Sequence, residues 1–132
     1  MPVRIVRLGS PRAEGEGLRI GTVRRPPRGV PKADFAKRDF YDVWLPNLAP
    51  SEELLKAGLD AQDDAARWKA FVRRYRAEMK RPEPRAVLDL LAALSHGTSF
   101  AVGCYCADES RCHRSLLREL LAERKADLVV GR

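Results

Sequence analysis

No apolar run in this 132-residue chain approaches the roughly 18–20 residues that a membrane-spanning helix needs, which argues against a membrane protein. The amino terminus has no signal-peptide pattern. Repeats, low-complexity stretches and a convincing internal boundary are also missing, so one cytoplasmic domain over residues 1–132 is expected. Cysteine is scarce and odd in number: three residues, with no export signal. Free thiols are therefore expected, not a disulfide framework. Acid is scarce before residue 41, where ten Lys or Arg face four Asp or Glu; fifteen face fourteen in the remainder. Lysine is scarce as well, six against nineteen arginines. That bias favours planar, bidentate contact with phosphate or carboxylate, although base composition of the genome gives the same bias.

What is present reads as an α/β domain. Val3–Leu8 alternates apolar and basic residues and predicts a first strand. Leu18–Val23 predicts a second, and an antiparallel pairing of the two is open. Arg24–Lys32 contains three prolines, which remove donors and fix the backbone, so it is a stiff loop. Its cations, Arg24, Arg25 and Arg28 among them, are held at low entropic cost, which favours anion binding over a merely solvated loop. Tyr41–Leu45 is a short third strand ended by Pro46. Ser51 is the N-cap of a short helix that Gly58 is expected to stop. Trp68, Phe71, Val72, Tyr75 and Met79 recur at helical spacing as a core stripe. Pro82 and Pro84 are expected to break the chain before a helix on Val87, Leu90, Leu91 and Leu94, closed by Gly97. Asp127–Val130 is a last short strand.

The chain is organised around Ser99–Leu121. An apolar strand, Phe100–Cys106, passes through a polar turn to Cys112-His113-Arg114 and a helix with Leu117, Leu120 and Leu121 on its apolar face. All three cysteines and one of two histidines thus lie where a strand hands over to a helix. Ligands bind there in open α/β sheets, because free helix N–H groups and the helix dipole point to that edge. Three chemistries suit the residues. Cys104, Cys106, Cys112 and His113 are zinc-type ligands, but one residue between the first two and none between the last two is poor spacing for a structural site. Cys112 beside Arg111, His113 and Arg114 has the surroundings of a reactive thiolate. Only Cys112 is followed six residues later by an arginine, Arg118, and the glycines that open a phosphatase loop are missing between them. The third reading, an anion held by His113 and Arg114 with the cysteines as small fillers, needs the least special geometry.

These residues resemble a known family. The strand, turn and Cys112-His113-Arg114 are similar to the motif of the domain-of-unknown-function family 488. Arg24, Arg28-Gly29, Trp44, Leu48–Leu54, Trp68, Phe71, Arg74-Tyr75 and Glu78 resemble the pattern of its YeaO-like branch, over about Leu18 to Leu121. Departures from it are Val23 where the branch usually has an acid, Pro26 where it has tryptophan and Leu55 where it has another arginine, and the first argues against any catalysis that would use that acid. The resemblance implies a compact α/β fold with a largely parallel sheet and no established activity.

The expected architecture is therefore a single α/β domain, with a central, mostly parallel sheet of about four or five strands flanked by helices. The expected function is binding of a nucleotide, a phosphorylated small molecule or a nucleic-acid phosphate, with no membrane partner. Arg24, Arg25, Arg28 and Arg114 are the ligand-binding candidates. The alternatives are an enzyme using Cys112 and His113, and an interaction protein with a metal-binding turn. No cofactor and no metal are expected.

Overall fold

The computed structural model describes residues 2–60, 63–106 and 109–129. Four parallel strands form one sheet: β1 (Val3–Arg7), β2 (Leu18–Gly21), β3 (Val43–Trp44) and β4 (Phe100–Cys104), in the order β1-β4-β2-β3. β4 is buried along its whole length and is paired on both sides, with Val3 opposite Phe100 and Leu18 opposite the same residue. Its continuous apolar run is what a central parallel strand requires. The open question of β1 and β2 is settled by this insertion: they run parallel and never pair with each other. The last expected strand reduces to one parallel bridge, Val3 with Leu128, closed by hydrogen bonds between Val3 N–H and Asp127 O and between Val129 N–H and Val3 O. Val130 lies outside the described residues.

Four helices follow: α1 (Glu52–Asp60), α2 (Ala65–Met79), α3 (Pro82–Leu94) and α4 (His113–Glu123). Ser51 Oγ accepts from the Leu54 N–H as an N-cap does, and Asp64 accepts from Ala66 and Arg67 N–H at the start of α2. Gly58 does not end α1. It lies inside the helix because a Cβ there would come within 2.6 Å of the Phe71 ring, so glycine admits α2 at close range. Pro82 and Pro84 begin α3 instead of breaking the chain; the first helical turn has N–H groups with no partner in the helix, so proline costs little there. On α3 the buried positions are Pro84, Leu88, Leu91 and Ala92, whereas Leu90 and Leu94 are exposed.

One apolar cluster joins Val3, Ile20, Phe100 and Val102 of the sheet to residues from all four helices, among them Leu54, Phe71, Leu91 and Leu117. Burying each such side chain contributes about 1.5–3 kcal/mol before entropic costs. The Tyr75 hydroxyl donates to Leu48 O at 2.6 Å, tying α2 to the segment that leads into α1. Alternation along β2 turns Gly21 to the opposite face from Ile20, and there the Tyr41 ring covers it so closely that a Cβ would lie 2.4 Å away. Tyr41 joins Leu8, Val23, Cys104 and Cys112 in a second, smaller cluster. No helix among the described residues is long and apolar enough to cross a membrane.

Candidate functional site at the carboxyl edge of the sheet

Because β2 and β4 are parallel neighbours, the loops leaving them emerge at one edge. Thr22 continues the ladder beyond β2, its N–H and hydroxyl both donating to Gly103 O. The next residues are held from three sides. His113 Nε2 donates to Thr22 O at 2.7 Å, Trp44 Nε1 donates to Val23 O at 2.7 Å, and the Tyr105 hydroxyl donates to Arg25 O at 2.9 Å. The Arg24–Arg28 loop and the Cys112–Arg114 turn therefore lie at the same edge, tied there through Thr22, just before the loop, and Tyr105, just after β4.

The four candidate arginines are used differently. Arg24 donates to the carbonyls of Pro46, Ala49 and Pro50, so its head fastens the entry to α1. Arg25 reaches Glu52 at 3.2 Å with both side chains about two-thirds exposed, 68% and 65%. Arg28 is exposed and makes no ion pair among the described residues. Arg114 is 4% exposed; its Nη2 donates to Cys106 O, and its Nε has no partner among the described residues. Much of the remaining basic charge of the first third is consumed internally. Arg12 pairs with Asp39 and Asp42, and Arg19 with Glu16.

Beside Arg114 the sulfurs of Cys104, Cys106 and Cys112 all lie within 4.8 Å of one another, none of them disulfide-bonded. Cys104 and Cys112 are buried and Cys106 is half-buried. Cys106 N–H donates to Cys104 Sγ at 3.4 Å, and His113 Nδ1 lies 3.8 Å from Cys112 Sγ. Burial drives the His113 pKa down to about 4, against the partial support of its bond to Thr22 O, so the ring is neutral. Hydrogen bonds from Cys104 and Cys112 pull the Cys106 thiol well down, and His113 and Arg114 add to that. Hydrogen bonding to Cys106 and Cys112, with burial, pushes Cys104 well up. Cys104 lowers Cys112, but the bond to Cys106 and burial prevail and push it up to about 11. The set could hold a soft metal ion or keep a single negative charge on Cys106.

A family model described as the active DUF488-N3 subclade matches residues 3–125, nearly the whole chain. The chain belongs to this DUF488 subclade. No curated protein and no solved structure matches it.

In this DUF488-N3 chain, two residues legible separately in the sequence, Arg111 as a neighbour of Cys112 and Trp68 as core, meet at the edge. Arg111 stacks on the Trp68 ring, its guanidinium carbon 5.6 Å from the centroid. Both line a cleft of about 30 Å³ with Cys106, Cys112 and His113. Trp68 was legible only as core, since helical spacing does not show which end of a stripe reaches a neighbouring turn. A wider cleft of about 580 Å³ lies between Arg24, Ser51, Glu78 and the start of α3. Its chemistry is already spent: Glu78 accepts from the Ser51 N–H and hydroxyl, and Arg24 is bound to carbonyls. Of the turn between Cys106 and Cys112, Ala107 and Asp108 lie outside the described residues.

Proposed function

We propose that this protein binds a small anionic molecule, a nucleotide or another phosphorylated metabolite, at the carboxyl edge of β2 and β4 in a reducing cytoplasmic setting. The observation that carries this reading is that both candidate segments stand at one edge of the sheet, with His113 bonded to Thr22 just before the loop and Arg25 bonded to Tyr105 just after β4. Arg28, exposed and without an ion pair among the described residues, is the cation at the rim. Arg114 and the positive end of α4 supply field from below. Arg24 is assigned to positioning the loop, since its donors are occupied by carbonyls. One or two phosphates fit this set better than a tract of nucleic-acid backbone, which needs many cations on one broad face. Similarity to the YeaO-like branch is our own reading of Trp44 and Leu48–Leu54.

An enzymatic reading draws support from the subclade's description as active. Cys112 is 3% exposed, so a thiol reaction with a substrate would begin at half-buried Cys106, with Cys112 and His113 behind it.

The test is calorimetric titration with ATP and with pyrophosphate. Arg28→Ala is expected to weaken binding roughly tenfold, the loss of one charge-assisted contact of about 1.4 kcal/mol, with unchanged folding. Tight binding to duplex or single-stranded nucleic acid that resists salt and ignores Arg28→Ala would show that the ligand class is wrong.

A further inference from the structure

We propose that Cys104, Cys106, Cys112 and His113 form a tetrahedral zinc site that locks the β4–α4 turn. The proposal does not rest on the anion reading: its ligands include no arginine, although both draw on the charge of Arg114.

Four zinc ligands must converge, and the first three already do. Tetrahedral coordination with zinc–sulfur bonds of about 2.3 Å sets sulfur–sulfur separations near 3.8 Å. The three sulfurs here lie within 4.8 Å of one another, so closing on an ion asks each pair to draw in by no more than about 1 Å. Cys106 N–H already donates to Cys104 Sγ, a bond that strengthens once that sulfur is a metal-bound thiolate.

The fourth ligand is identified by its hydrogen bond on the far side. Thr22 O can only accept, so His113 carries its proton on Nε2 and presents a lone pair at Nδ1. That nitrogen lies 3.8 Å from Cys112 Sγ. Metal-binding histidines characteristically donate their other N–H to a carbonyl or carboxylate, which fixes the ring and raises its basicity. His113 is 6% exposed and its ring centroid lies 5.7 Å from that of Tyr75, so its orientation is set by packing as well. In the metal-free chain the Cys112 thiol can donate to this lone pair, and zinc would take the place of that proton.

Poor spacing was the objection to zinc in the sequence, and the backbone removes it. Cys104 is the last residue of β4, while Cys106 lies beyond the strand, freed from its alternation. Cys112 is the extended N-cap of α4, with φ −133° and ψ 152°, and His113 is the first helical residue. The backbone turns between them, so two adjacent side chains can serve one centre. Three thiolates and a neutral imidazole around Zn²⁺ leave one excess negative charge. Arg114, buried and without a carboxylate partner among the described residues, offsets it.

Tag-free protein purified without chelator is expected to retain about one zinc per chain through dialysis, and its thiols are expected to react with a disulfide reagent only after chelation. Cobalt added to the metal-free chain should give thiolate-to-cobalt charge-transfer absorption and the intense visible bands of a tetrahedral ion. Cys106→Ser, at the least buried ligand, should weaken cobalt binding by at least tenfold while the circular dichroism stays native. Arg28→Ala should leave zinc content unchanged, so failure of the anion reading and of this one are seen separately. The proposal is overturned by a metal-free wild type that gives no cobalt charge-transfer band, by a disulfide among the three cysteines in place of metal, or by a cobalt spectrum indifferent to Cys106→Ser.

Discussion

Two arginines are buried among the described residues, and their surroundings are opposites. Arg19 is fully buried, and its guanidinium meets both oxygens of Glu16, at 2.8 and 3.0 Å, and the carbonyls of Ser10 and Asp39, each at 2.7 Å. The charge is matched and the donors are occupied. Arg114 is 4% exposed, donates to a single carbonyl, and keeps Nε without a partner among the described residues. Desolvating a cation is costly unless an anion matches it, and here no carboxylate among the described residues does so. That leaves the Cys106 thiol, which Arg114 helps to hold low, as the neighbouring source of negative charge. The first arginine organises the loops over the sheet through a carboxylate; the second lies against the cysteine cluster.

The largest expected effect tests the first half of that contrast. Arg19→Met strands Glu16, 3% exposed, without its counter-ion and should cost about 3–5 kcal/mol in urea unfolding. A loss below about 1 kcal/mol would mean that Glu16 finds water or another partner, and the two arginines would no longer differ in kind. Arg114→Met is expected to cost about 1 kcal/mol or less in metal-free protein, because removing a buried cation that no carboxylate matches offsets the lost bond to Cys106 O. If instead it unfolds the chain as thoroughly as Arg19→Met, Arg114 is a structural ion and the contrast fails.

The smallest effect is a slope. Burial alone would raise the Glu16 pKa, but the bonds from Arg19 and from Ala13 N–H outweigh it and hold the carboxyl below its ordinary value. Folding therefore favours the carboxylate, and the unfolded chain takes up the proton more readily. The associated stability is present above the usual carboxylate range and is lost as the pH falls below about 4. Unfolding free energies measured across that range should fall less steeply for Glu16→Gln than for the wild type, while metal-free Arg114→Met keeps the wild-type slope. Equal slopes for Glu16→Gln and the wild type would remove Glu16 from the account.

Much of the fold was legible because it rests on local pattern. The buried run Phe100–Cys104, the stripe Phe71, Tyr75 and Met79, and the face Leu117, Leu120 and Leu121 each declare their element by periodicity alone. So did the site's address, since three cysteines and a histidine at a strand-to-helix junction are visible in one line of sequence. What local pattern could not give was anything fixed by a distant partner. Pro82 and Pro84 look like breakers until the helix is known to begin at them, and Gly58 looks like a stop until Phe71 is set against it. The arginines show the same limit most clearly. Sequence counted Arg12, Arg19 and Arg24 as free positive charge before residue 41, yet Arg12 meets acids 27 and 30 residues away and Arg24 meets carbonyls 22 to 26 residues away. Charge and periodicity are properties of the chain. Whether a charge is neutralised, or a sulfur faces an imidazole, depends on contacts that parallel pairing of β4 with β1 and β2 creates, and only the tertiary structure decides those.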